Sequence, residues 1–221
     1  MPLHPHPDPN LADIARDSPS DGLFAGFCYR HLPKGYLLST PDRTTDNVFI
    51  VCSGRLKVYL AGENRELSLG YLEAGDVYAT HSPVYVRTVA PSNLWIGDTE
   101  TFARQLIDHP ELTRIMMGVV GRLLTDTLSL VEDLAFREVP ARLARFFIGL
   151  AKRRGQMVDD GWLIPLDLGM QDIGELLGAT RQTISGLINA WEREGLLHRR
   201  ARGIYLVPSL NKLAERFPEA A

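Results

Sequence analysis

Cysteine is scarce in this 221-residue chain, which holds only Cys28 and Cys52. Neither lies in a segment with metal-ligand spacing, so a disulfide framework and a cysteine-held iron–sulfur cluster are both excluded, and a buried inert thiol is the reading for each. Long apolar runs are missing too. None approaches the roughly 20 residues of a membrane span, and MPLHPHPDPN lacks the charged and apolar regions of a signal peptide, so a cytoplasmic protein is expected. Histidine is sparse: only His31 and His81 fall in the β-rich half, and no His-x-His pair lies in a strand. A metal-dependent barrel enzyme would cluster His and Glu on neighbouring strands, so no enzyme activity and no catalytic residue are assigned. A basic excess is absent as well, the net charge being −3, but the charge is divided unevenly. Residues 139–221 carry 12 Lys+Arg against 9 Asp+Glu, whereas residues 1–138 carry 12 against 18.

What is present is most informative in the basic part. Met170 to Glu194 has apolar residues at helical spacing on both sides of one Gly-Ala break, which predicts a helix-turn-helix. Ile173, Leu176 and Leu177 form the inner face of the first helix, and Gly178 suits the turn. Thr180 is placed to cap the second helix, whose inner face is Ile184, Leu187, Ile188 and Trp191. Arg181, Gln182 and Ser185 are then left outside, with Thr183 between them, near the helix N-terminus. Arg pairs with guanine, Gln with adenine and Ser with either, so these are candidate base readers in the major groove of double-stranded DNA; the alternative is an ordinary helical hairpin with a polar face. Arg199, Arg200 and Arg202 lie between two short apolar runs, as in a two-stranded wing. They are candidate phosphate contacts, against the alternative of a solvated basic loop.

The acidic part reads as β-rich. Short strands are predicted at Tyr36–Leu38, Val48–Cys52, Leu56–Leu60, Glu66–Leu69, Val77–Ala79, Val84–Val89 and Leu94–Ile96, separated by turn residues at Ser53-Gly54, Ala61–Asn64 and Glu73–Asp76. A long helix is expected from Pro110 to Leu134. Its apolar residues Leu112, Met116, Val119, Leu123, Leu130 and Leu134 step by threes and fours with Thr127, as a parallel dimer seam would, the alternative being packing against its own domain. The fold class is α+β, in three parts: an arm and antiparallel β-roll at 1–109, a dimerisation helix and hinge at 110–138 and a winged helix-turn-helix at 139–221. Pro140 suits the first turn of a helix over Ala141 to Ala151, so the hinge falls at Phe136 to Pro140.

Roll, long helix and winged helix-turn-helix, in that order along the whole chain, resemble the CRP/FNR family of bacterial transcription regulators. The family's cyclic-nucleotide binders carry a Gly-Glu pair followed by Arg-Ser/Thr-Ala. Here the matching residues are Gly75-Asp76 and Arg87-Thr88-Val89, and half of that cradle is missing. The stretches GRLKVYLAGENRELSLGYLEAGDVYATHS, GRLLTDTLSLVEDLAF and GATRQTIS are instead similar to the family's heme-containing carbon-monoxide sensors.

That resemblance implies a cytoplasmic homodimer with one heme b per subunit. It implies iron held by His81 and by the amine of Pro2 from the other subunit once Met1 is removed; taken by itself, a lone His beside a strand reads as a hydrogen-bonded structural residue. Carbon monoxide would displace Pro2 and re-aim the DNA-binding domains, and the dimer would act with RNA polymerase as an activator of CO-oxidation genes. Asp46, followed by Asn47, matches an Asn that bonds the proximal imidazole. Met117, Val120, Gly121 and Leu124 match the gas pocket. Ala79 stands where those sensors place the cysteine that ligates oxidised iron, so no thiolate switch is expected, and His81, His4 or His6 would serve. The resemblance also implies half-sites like TGTC and GACA. NO, redox state or a nucleotide remain alternative effectors.

Overall fold

The computed structural model describes residues 26–220 apart from 43–45, 64, 81–82 and 109, and leaves the side chains of 108, 110–112 and 115 undescribed. Of the described residues, those up to Gly62 together with Ser68–Thr127 form one compact unit. Glu63–Leu67 and those from Leu128 onward form the other.

The first unit holds an antiparallel roll of eight strands, all but the first two residues of β5 lying within it: β1 Cys28–Leu32, β2 Leu37–Ser39, β3 Asn47–Ser53, β4 Arg55–Ala61, β5 Glu66–Glu73, β6 Val77–Ala79, β7 Tyr85–Thr88 and β8 Ser92–Asp98. They make two four-stranded sheets, ordered β1-β8-β3-β6 and β2-β7-β4-β5. Strand alternation divides β3 between two cores. Phe49 and Val51 point between the sheets, into a cluster with Leu32, Leu56, Leu72, Val86 and Leu94. Val48, Ile50 and Cys52 point the other way, where Phe27, Val77, Trp95 and Phe102 cover them and Ala79 packs alongside. All seven expected strands are present. β1 was not predicted, because only Leu32 of CYRHL is buried and an edge strand with one inward residue leaves no alternation to read.

Helix α1, Thr99–Asp108, starts at Asp98, whose carboxylate accepts from the Thr101 amide at 2.7 Å and from the Thr101 hydroxyl at 2.8 Å. Those bonds hold the Asp98 carboxyl below its ordinary range. Helix α2, Pro110–Phe136, is the expected long helix, and its apolar residues form two stripes one position apart. Val119 is buried with the inter-sheet cluster, Leu123 packs on it, and Met116 packs on the other core. Those three residues of the expected dimer seam therefore face the helix's own roll. The uncovered stripe is Met117, Val120, Leu124, Leu128, Val131 and Leu134, each between 38% and 62% exposed. Two stripes about 100° apart share the same spacing, so periodicity alone could not say which would meet the sheet.

The second unit contains α3 Val139–Arg154, a hairpin of β9 Gln156–Val158 and β10 Gly161–Pro165, α4 Met170–Leu177, α5 Arg181–Arg193, β11 His198–Ala201, β12 Ile204–Val207 and α6 Leu210–Arg216. Its four strands run β11-β12-β10-β9. Phe147 of α3 is the centre of its core, edge-on to Tyr205 at 5.4 Å and Trp191 at 6.5 Å. Pro140 lies in the first turn of α3, as expected. Between the end of α2 and α3, Arg137 bonds Glu132 and Asp133 at 3.0 Å, while Arg145 stands 3.4 Å from Asp133. No helix among the described residues is long and apolar enough to cross a membrane.

Candidate functional site

The helix-turn-helix is assembled from two glycines and a threonine. Gly178 caps α4 with φ 61° and ψ 38°, the left-handed conformation that favours glycine. Gly174, whose role sequence reasoning missed, lets the turn fold back on the helix. A Cβ there would sit 2.7 Å from the Ala179 carbonyl oxygen, and the Ala179 amide donates to the Gly174 carbonyl at 2.8 Å. Thr180 then caps α5, its hydroxyl accepting from the Thr183 amide at 3.1 Å and lying 2.9 Å from the Thr183 hydroxyl. Ile184, Ile188 and Trp191 are buried. Arg181, Gln182 and Thr183 stand exposed in the first turn with Ser185 beside them, half-buried. Thr180→Ala is expected to lower unfolding free energy by about 1 kcal/mol, measured by urea denaturation.

The wing carries its three arginines in different ways. Arg202 is exposed in the β11–β12 turn, with no partner among the described residues. Arg200 meets Asp160 at 3.0 Å in a solvent-exposed pair that is easily exchanged for another anion. Arg199 instead turns onto the recognition helix, donating to the Asn189 side-chain oxygen at 2.8 Å.

In the roll, the two residues suggested by the resemblance near the proximal side stand at the start of β3. Asp46 immediately precedes β3 and is exposed, and its carboxylate accepts from the Thr99 hydroxyl at 2.8 Å. Asn47 lines a cavity of about 480 Å³ inside the roll with Phe49, Thr80, Ile96 and Asp98. The Asn47 amide donates to the Thr80 hydroxyl at 3.0 Å, and the Thr80 amide donates to the Asn47 carbonyl at 2.9 Å. Thr80, the residue before His81, is thereby fastened to the start of β3. His81, Pro2, His4 and His6 lie outside the described residues. On α2, Met117, Val120 and Leu124 are exposed, and nothing lies within 4 Å of a Cβ built at Gly121 or Gly118.

The position of a nucleotide cradle is otherwise engaged. Asp76 is buried, accepting from the Glu73 amide at 2.9 Å and from Arg122 of α2 at 2.5 Å. Thr88 points inward, but its hydroxyl donates to the Pro33 carbonyl at 2.7 Å and accepts from the Tyr36 amide at 2.8 Å. Arg87 lies on the outer face, 4.9 Å from the Tyr59 ring centre. A phosphate inside the roll would meet no arginine from β7.

Residues 141–216 match the Crp-like helix-turn-helix domain. Over its length the chain is similar to a CooA mutant from Carboxydothermus hydrogenoformans, with a TM-score of 0.85 and 32% identity over 95% of this chain and 96% of that one. It is also similar to the reduced CO-sensing protein from R. rubrum, with a TM-score of 0.56 and 32% identity over 98% and 100% of the two chains. A CRP-like cAMP-activated global transcriptional regulator of Mycobacterium tuberculosis is 24% identical, over 83% of this chain and 85% of that protein. With the roll, the long helix and the winged helix-turn-helix in the same order, the chain belongs to the CRP/FNR family of transcription regulators.

Proposed function

We propose that this protein is a heme-dependent, carbon-monoxide-responsive activator, working as a homodimer on palindromic DNA together with RNA polymerase. The observation that carries this reading is the likeness to CooA along nearly the whole chain. The engaged Asp76, Thr88 and Arg87 support it, since they leave a nucleotide phosphate without its cradle.

The residues present fit heme. His81 and Pro2 of the partner subunit would hold it. Asp46, just before β3, would supply a carboxylate that makes the imidazole more basic and fixes its ring. Met117, Val120 and Leu124 would cover one side, exclude water and favour an apolar diatomic, while Gly121 leaves the space free. Ferrous heme supplies reversible binding of CO. Loss of the Pro2 contact would release its segment from the heme and let the α2 helices of the dimer re-pair along their uncovered stripe. Hinge residues Phe136 to Pro140 then allow the two recognition helices to enter successive major grooves. Arg181, Gln182 and Ser185 read base edges, with Thr180 and Thr183 holding their helix end. Arg200 and Arg202 contact phosphate. Ala79 provides no thiolate, so an oxidised spectrum of thiolate type would contradict this ligand set.

The test is an absorption spectrum of the purified reduced protein before and after CO. A sharpened and shifted Soret band is expected, and a protein without heme overturns the proposal. The seam is tested separately. Leu128→Glu combined with Val131→Glu places four charges where apolar side chains would pair, and should weaken dimerisation by roughly 100-fold or more. Sedimentation velocity at micromolar concentration checks this; an intact dimer would move the seam elsewhere.

A further inference from the structure

The wing arginine closest to the recognition helix makes a set of contacts that points away from DNA. Arg199 is opposite Tyr205 in the β11–β12 ladder. Its amide donates to Glu192 Oε1 at 3.1 Å, and its guanidinium donates to Asn189 Oδ1 at 2.8 Å. The guanidinium Nε also lies 3.6 Å from Glu192 Oε2. Asn189 and Glu192 both belong to α5, two and three turns beyond the exposed Arg181. Burial raises the Tyr205 phenol above its ordinary range, and the charge of Arg199, its strand partner, opposes part of that rise. Tyr205 is buried edge-on to Phe147 in the domain core. One side chain therefore connects the core, the wing and the recognition helix.

Arg200 and Arg202 differ, the first meeting only an exposed acid and the second standing in the turn. We propose that Arg199 is a positioning residue, latching the wing onto the C-terminal half of the recognition helix, and that it is not one of the phosphate contacts. The planar guanidinium suits this task, because it presents separate N–H donors to an amide oxygen and a carboxylate in a fixed fork, a geometry the point charge of a lysine does not reproduce. Its effect on DNA binding then comes through the angle at which α5 and the wing are presented together.

The experiment uses the full-length protein and an operator it selects from a random-sequence duplex pool. Arg199→Ala should quicken amide exchange across residues 198–207 by roughly tenfold and weaken operator binding by roughly three- to tenfold. The salt dependence of binding should stay unchanged, whereas Arg202→Ala should lower that slope by about 1 and leave wing exchange unaltered. Arg199→Lys should behave as Arg199→Ala does, in exchange and in affinity. Two results overturn the proposal: a salt slope lowered by about 1 in Arg199→Ala, or affinity restored in Arg199→Lys. Should Arg199→Ala fail to fold, Glu192→Gln serves instead. It should quicken wing exchange and weaken binding, although removing an acid near DNA would by charge alone strengthen it; unchanged exchange in that variant overturns the latch.

Discussion

His81→Ala is expected to give a folded protein that carries little heme and binds its operator equally with and without CO. The fold should survive. Thr80, immediately before it, is tied to Asn47 through backbone and hydroxyl hydrogen bonds that do not involve the imidazole. The cores on both faces of β3 are aliphatic and aromatic. On the proposed reading, what goes is the nitrogen that would hold iron, and with it the gas response. Asp46→Ala should act in the same direction but less severely, lowering heme affinity by roughly 10- to 100-fold, as loss of a group that orients a metal-ligating histidine does. Because Asp46 also accepts from the Thr99 hydroxyl, Asp46→Asn is the better control, keeping an acceptor there. Heme content and the Soret shift under CO check both. A His81→Ala protein with normal heme and a normal CO spectrum would remove His81 from the site.

Arg181→Ala should produce the largest loss at the DNA. A bidentate arginine to guanine contributes roughly 1–3 kcal/mol per half-site, so a palindrome read twice should lose roughly 30- to 20,000-fold in affinity and relax its preference at one G·C pair in each half. Arg181 stands exposed in the first turn of a helix whose end is fixed by Thr180, so its removal leaves the helix in place. Half-sites like TGTC and GACA, about one helical turn apart, are the sequences to vary. Titration across single-base operator variants decides the matter, and an unchanged preference would show that Arg181 does not read bases.

The DNA-binding half was the more legible in the sequence, for a physical reason. Gly178, Thr180 and the spacing of Ile184, Ile188 and Trp191 are local signals, and each occupies the position its chemistry demands. Gly174 was passed over because a glycine inside a short helix announces nothing until the carbonyl of Ala179 is seen against it. The hairpin of β9 and β10 was also missed: β9 is wholly exposed and β10 buries only Ile164, so neither shows a period of two. In α2 the spacing was read correctly and the face was not. Met116 and Met117, or Val119 and Val120, carry the same periodicity, and only the sheet beneath decides which of each pair is covered. Arg199 illustrates a third limit. Beside Arg200 and Arg202 it looked like one more basic residue, and its acid and amide partners come from another element.

On the proposed reading, CO acts through heme to control DNA binding. The most direct measurement titrates the reduced, full-length protein against its selected operator by fluorescence anisotropy, under CO and under argon, in the same salt. Tight, sequence-specific binding is expected under CO and weak binding under argon, with the difference abolished in His81→Ala. Equal affinity in the two gases for the unsubstituted protein would contradict it.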